Sequence, residues 1–318
     1  MVQLSDIKIR RVAVIGAGTI GASWVAYFLG QGLDVTVSDP ALGARVAVAR
    51  RIEEAWPVLQ RLGLAADASP DRWRFQDDPS AAVDGCDFCQ ENAPERYEIK
   101  IDLLRRLDRA LPREVVIASS SSGLLVSRLQ EHLNYPDRCV IGHPFNPPHI
   151  VPLVEVVGGL KTSQSTITTA MEFYRAIGKH PIEIRREVPG HLANRLQAAL
   201  YREAVHLVAE GVATVEDVDA AISEGPGLRW ALMGPHLTFA LAGGEGGLAH
   251  YLKHLGPAMT GWWQSLGSPS LTDEVKRQLE AGVEDEMAGR SIEALERRRD
   301  DFLVRVLEAR RATDASEG

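Results

Sequence analysis

Short apolar runs alternate with longer segments of helical apolar spacing until Pro189, and there the alternation stops. Val12–Ile15, Val35–Val37, the stretch around Cys86–Gln90, Val115–Ala118, Arg138–Ile141 and His180–Ile184 read as strands, with Phe75 beginning a further short one. Residues 42–62, 126–133 and 166–177 read as helices between them, as does the stretch holding Ile99, Leu103, Leu104 and Leu107. Strand and helix in turn predict an α/β fold: a doubly wound, mainly parallel sheet of Rossmann type with helices on both faces. From residue 191 no segment reads as a strand. An apolar-periodic stretch over 191–223 leads into helical segments broken at 225–227, 234–235, 242–247 and 267–270. Two domains are expected: residues 1–188 carrying the sheet, and an all-helical domain over 189–318 that ends in a polar tail.

The first strand runs into three glycines, Gly16, Gly18 and Gly21, then an apolar helix and a second strand ending at Asp39. That order is a dinucleotide site. Gly16 permits the tight turn, Gly18 lets the backbone approach a pyrophosphate, and Gly21 lets the helix pack on the strand. Thr19 and Ile20 complete the phosphate-binding turn. Asp39 lies where a carboxylate accepts the ribose hydroxyls, and it favours NAD over NADP because it repels a 2′-phosphate.

Composition adds exclusions. The chain has 318 residues and a formal charge of −8, which argues against nucleic acid or an anionic membrane surface as partner. No run is apolar and long enough to cross a bilayer, and the N-terminus lacks a signal-peptide core, so a cytoplasmic protein is expected. Cys86 and Cys89 form a CxxC, but in a strand-like context, and read as small core residues rather than a redox pair. His250 and His254 stand four apart without the acid of a zinc-protease motif. No metal is expected.

Polar groups that follow the strands of such a sheet are where chemistry is expected. They are the glycine loop, Asp39, the segment QENAPER, the serines 119–122, and His143 with Asn146. His143 follows a strand and sits in HPFNP, a loop stiffened by two prolines. Glu155 lies twelve residues on in an apolar run, where an unpaired carboxylate would be costly. Pairing the two would fix the imidazole tautomer and make His143 a competent general base.

GHPFNPPHIVPLVEVVGG, the preceding ASSSSGL and the later VPGHLANRLQ together resemble the 3-hydroxyacyl-CoA dehydrogenase superfamily, over about residues 10–260. The resemblance implies an NAD enzyme in which His143 takes the proton of a 3-hydroxyl while Glu155 orients it. Ser122 and Asn194 would bind the substrate oxygen. Asn146 would touch the nicotinamide region, with Glu95, Lys100 and Ser122 along the cofactor. It also implies a homodimer built on the helical domain. Two positions depart from the family pattern: Ser120, where asparagine is usual, and His191, where an aromatic is usual.

Substrate choice is read from the block EGPGLRWALMGPHLTFALAGGEGG and from Ser23–Trp24 after the glycine motif. The block most resembles the branch of the superfamily that oxidises carnitine, a small 3-hydroxy acid; the gulonate dehydrogenases and their lens-crystallin relative share similar features. Residues 50–73 have mixed charge and no lysine, which weakens a short-chain acyl-CoA reading. A trimethylammonium group needs aromatic faces and a carboxylate, for which Tyr201, Trp230, Phe239, Trp262, Trp263 and Glu245 are candidates. Arg229 and Arg195 are candidates for the substrate carboxylate. The non-enzymatic alternative, a crystallin-like structural or NAD-binding regulatory protein, is disfavoured by the presence of both His143 and Glu155.

Overall fold

An eight-stranded sheet organises the first of two units in a computed structural model that describes residues 7–317. Along this unit run β1 (Arg11–Ile15), α1 (Thr19–Gly30), β2 (Asp34–Ser38), α2 (Ala44–Leu62), β3 (Trp73–Phe75), α3 (Pro79–Ala82), β4 (Phe88–Glu91) and α4 (Tyr97–Ala110). Then come β5 (Val116–Ser119), α5 (Val126–Gln130), β6 (Cys139–Pro144), β7 (Leu153–Gly158), α6 (Gln164–Ala176) and β8 (His180–Ile184). The strand order is β3-β2-β1-β4-β5-β6-β7-β8. Every pair is parallel except β6 with β7. The order reverses between β1 and β4, the switch point at which such sheets bind ligands beyond their carboxyl ends.

Both faces of the sheet are covered, so its central strands are buried on both sides rather than alternating with exposed positions. On one face Trp24 and Phe28 of α1 stack at 5.0 Å, and Phe88 of β4 meets Phe173 of α6 at 4.2 Å. On the other face Leu104 and Leu107 of α4 and Leu129 of α5 pack with Ile117 and Ile141. A buried polar bridge crosses the centre. Gln90 donates to Ser120 Oγ at 2.8 Å and to the Gly142 carbonyl at 3.2 Å, and it accepts from the Tyr174 hydroxyl at 2.6 Å. A Cβ on Gly142 would lie 2.1 Å from that hydroxyl, so this glycine is what admits the tyrosine.

The chain divides between Arg195 and Leu196 into the two units, later than the break in pattern at Pro189. Residues 191–194 spend their hydrogen bonds on Ser121, Ser122 and Glu155, which ties them to the sheet unit. From there the chain is helical: α7 (Ala193–Ala209), α8 (Val215–Ser223), α9 (Pro226–Trp230), α10 (Pro235–Ala242), α11 (Gly247–Ser265), α12 (Asp273–Met287) and α13 (Ile292–Glu317). No helix of the described residues is long and apolar enough to cross a membrane.

Several expected boundaries shift. Phe75 ends β3 instead of beginning a strand, and the strand expected at 86–90 starts only at Phe88. The helix expected over 126–133 stops at Gln130. The stretch 191–223 is two helices: Gly211 at φ +68 ends the first turnwise, and a capping box between Thr214 and Asp217 starts the second. The strand ending at Ile141 continues to Pro144, and β7 had not been distinguished from the loop before it. This last difference moves His143 from a loop into a strand.

Tyr174→Phe removes the donor that satisfies the buried amide oxygen of Gln90. It is expected to lower unfolding stability by about 1–3 kcal/mol, read as a fall in the urea midpoint with an unchanged m-value.

Candidate active site

The glycine loop turns between β1 and α1. Gly16 stands at φ +91, and a Cβ there would meet the Asn92 carbonyl carbon at 2.6 Å. A Cβ on Gly21 would lie 1.9 Å from the Gly16 oxygen, whereas one on Gly18 would meet nothing within 4 Å. The first two glycines named are therefore required by the fold, and Gly18 leaves bare backbone facing outward. α1 starts at Thr19 with no side-chain cap and no acid in its first turn, so the amides of Thr19, Ile20 and Gly21 remain available to an anion.

Beside this loop lies a cavity of about 1130 Å³, between Asp39 and Pro40 on one side and Ala93, Ile99 and Leu103 on the other. The shape and the donor set fit a dinucleotide. Asp39 is held by two amides, Ala17 at 2.6 Å and Ala41 at 2.8 Å, one on each carboxylate oxygen. Each oxygen keeps a second lone pair for a ribose hydroxyl. Asp77, Asp78, Glu98 and Asp102 also line the cavity, and its arginine, Arg106, is paired with Asp78 at 2.7 Å. Such a lining repels an added 2′-phosphate.

The reactive end is built by the antiparallel pair. β6 and β7 place His143 directly opposite Glu155, which is the origin of the twelve-residue spacing. His143 Nδ1 donates to Glu155 Oε2 at 2.8 Å, and the ring is only 5 % exposed. A carboxylate cannot donate, so the proton sits on Nδ1 and the lone pair on Nε2. The other Glu155 oxygen accepts from the amides of Leu192 and Ala193, at 3.0 and 2.8 Å, where α7 begins. Burial pushes the Glu155 carboxyl upward, but hydrogen bonds from His143 and from those two amides outweigh it and hold the group below its usual value.

The serine loop is fixed by Glu95. One of its carboxylate oxygens accepts from Ser121 Oγ at 2.6 Å and from the amides of Ser122 and Gly123 at 2.8 and 2.9 Å. The Ser122 carbonyl accepts from Asn194 Nδ2 at 3.0 Å, so these two expected oxygen-binding residues are brought together. Asn146 is exposed, just past β6. Lys100, expected beside Glu95, lies 3.9 Å from it and is turned inward. It is 1 % exposed, and its ammonium donates to both Glu91 oxygens and to the Ala93 carbonyl. It supports the loop from beneath.

The model of the 3-hydroxyacyl-CoA dehydrogenase NAD-binding domain matches residues 11–188, and that of the C-terminal domain of the same dehydrogenases matches residues 190–283. The chain belongs to the 3-hydroxyacyl-CoA dehydrogenase family. It is similar to the L-carnitine dehydrogenase of Streptomyces coelicolor, 52% identical over 95% of each chain. It is also similar to that of Pseudomonas putida, 47% identical over 98% of this chain and 97% of the other. Among solved structures it resembles 5-formyl-3-hydroxy-2-methylpyridine-4-carboxylic acid 5-dehydrogenase, an NAD+-dependent dismutase. There the TM-score is 0.83 at 32% identity, over 95% of this chain and 99% of that one. As a member of this family, the chain is an NAD-dependent oxidoreductase acting on CH–OH groups.

Within QENAPER and the serines 119–122, Gln90, Glu91 and Ser121 carry structural bonds that their positions in the sequence do not assign to them. Glu91 carried the same signal as Glu155, an acid inside an apolar strand, and is fully buried. The cysteines are buried, and burial pushes the Cys86 thiol up to about 12, away from reactive thiolate.

The candidate substrate residues of the helical unit do not form one cluster. Tyr201 lines a cleft of about 730 Å³ with Gln197, Asp219 and Glu286. Phe239 stacks on Tyr251 at 4.7 Å, while Arg229 and Trp230 are exposed on α9. No ring contact among the described residues joins Tyr201, Trp230 and Phe239.

Glu155→Gln is expected to cost about 1.5–3 kcal/mol near neutral pH, the worth of hydrogen bonds to a charged group. A carboxyl lowered in the folded state stabilises fully above its unfolded value of about 4.3, and that contribution is lost as pH falls through the lower native value. Urea unfolding across this range should show the variant and parent curves converging in acid. Asp39→Ala is expected to weaken NAD about 10- to 100-fold and to narrow the preference over NADP, by fluorescence titration.

Proposed function

We propose that this enzyme oxidises the 3-hydroxyl of L-carnitine to 3-dehydrocarnitine, with His143 as general base. The observation that carries the chemistry is the pairing of His143 Nδ1 with Glu155 at 2.8 Å, which leaves Nε2 as the proton acceptor. The hydride acceptor for C3 would be supplied by NAD held at the glycine loop and Asp39. His143 Nε2 takes the hydroxyl proton, and Glu155 stabilises the imidazolium that results. The Ser122 hydroxyl and Asn194 amide, linked through the Ser122 carbonyl, hold the oxygen as it changes from alcohol to ketone. Glu95 and Asn146 would lie toward the cofactor's reactive end, and the amides after Gly18 would hold its pyrophosphate.

Carnitine is supported by the relatives' names at about half identity over nearly the whole chain. A CoA substrate is disfavoured by charge. Arg50 and Arg51 share Glu54, and Arg72 pairs with Asp34, which partly offsets the charge these arginines offer a nucleotide's phosphates. Within the helical unit, Tyr201 lines a cleft beside the carboxyls of Asp219 and Glu286. Trp262 and Trp263 are each more than 60% exposed on α11, and apolar surface of this kind supports a homodimer through the helical unit.

NADH formation with L-carnitine, L-gulonate and 3-hydroxybutyryl-CoA tests the substrate, and L-carnitine should give the highest kcat/KM. A higher value for either of the others would replace it. His143→Gln is expected to reduce kcat about 10²- to 10⁴-fold with NAD affinity retained. Undiminished turnover would remove His143 as the base.

A further inference from the structure

His191 stands one residue before the Glu155-bound amides and was set apart in the sequence as a departure from the family's usual aromatic. It is 1 % exposed and adopts φ +50, a conformation unfavourable for a non-glycine residue. Its Nε2 lies 2.9 Å from the Ser121 carbonyl, so that nitrogen carries the proton. Nδ1 is buried with no partner. The ring is 5.5 Å from that of His143. Burial pushes the imidazole below its usual value; the hydrogen bond to Ser121 opposes it, His143 lowers it further, and Glu155 and Glu95 raise it. A neutral ring with one bonded donor and one bare acceptor is a poor choice for packing, since a phenyl ring would bury no polar atom.

What the histidine supplies is the donor. The two carbonyls of the 121–122 turn are both held by the segment that opens α7: Ser121 by His191, and Ser122 by Asn194. The same segment's amides at 192 and 193 hold Glu155, the partner of His143. We propose that His191 is a positioning residue that locks the peptide carrying Ser122 in register with the His143–Glu155 pair. Its left-handed backbone turns the side chain to the serine loop while the next two amides face Glu155. The inference rests on the reading of His143 as base and of a 3-hydroxy acid as substrate.

The test compares H191F with H191Q, measured with saturating NAD and the panel's best substrate and expressed per NAD site titrated. Phenylalanine and glutamine carry similar strain at φ +50, but only glutamine offers an amide donor near the depth of Nε2. H191F is expected to lose kcat about tenfold or more, with the NAD dissociation constant within about twofold and Tm lowered by no more than the loss of one buried hydrogen bond. H191Q is expected to recover part of that loss. A kcat per site within about twofold of the parent in H191F, or no recovery in H191Q, would overturn the proposal. Should H191F not fold, H191L supplies the donor-free comparison; failure of both while H191Q folds makes His191 structural and equally overturns it. An error in the underlying reading shows elsewhere: in the parent as inactivity on every 3-hydroxy acid, or in H143Q as retained turnover.

Discussion

A carboxylate without access to water must find all its hydrogen bonds in protein, and Glu155 finds them in two directions. One oxygen takes the Nδ1 proton of His143, and the other takes two amides where α7 begins. The first contact selects the imidazole tautomer. The second satisfies amides that a helix start otherwise leaves without partners. A negative charge is also favoured at that end by the helix dipole. Moving the carboxylate would therefore disturb the base and the start of the helix together. The sheet unit's reactive edge is organised by this constraint, and the antiparallel β6–β7 pair is what meets it, by setting the two residues opposite each other.

A second buried carboxylate repeats the solution three strands over. Glu91, at the end of β4, is met by the Lys100 ammonium, the Ala93 amide at 2.5 Å and the Ser119 hydroxyl at 2.5 Å. Here the partner is a full cation, and the pair is closed to solvent on both sides. Breaking such a pair from one side leaves an uncompensated charge, which costs far more than the pair contributes when intact. Glu95 is the third acid of the edge, and it faces the other way, taking the Ser121 hydroxyl and two amides of the serine loop. Three carboxylates thus shape the loops around the site, and only Glu155 touches the imidazole.

The parts of this arrangement that could be read in the sequence are those with a local signature. Gly16, Gly18, Gly21 and Asp39 declare themselves by spacing within one βαβ unit, because the phosphate turn and the ribose acid are set by short stretches of chain. Glu155 declared itself by being charged in an apolar run. Its geometry did not, because β7 has no turn chemistry to separate it from the proline-rich loop, and an antiparallel strand breaks the alternation that the rest of the sheet teaches. Lys100 entered only through the family resemblance, and its inward turn is explained by the burial of Glu91. His191 required knowledge of the left-handed backbone, which no pattern of apolar positions encodes.

The cofactor groove presents an electrostatic problem of its own. Asp39, Asp77, Asp78, Glu98 and Asp102 give it an acidic wall, and Arg106 is committed to Asp78, yet a dinucleotide brings a pyrophosphate. The positive field must come from backbone. α1 opens without a capping side chain or an acid in its first turn, so its amides and the helix dipole are directed at the anion without competition. Dipoles fall off within about one turn of the helix, so they serve a phosphate placed at the loop and give nothing to one placed out at the ribose. Local attraction at the glycines and general repulsion at the acids together admit a dinucleotide with two phosphates and disfavour one with three. The discrimination is thus built from where the positive field ends and from the acids, Asp39 first among them, that stand beyond it.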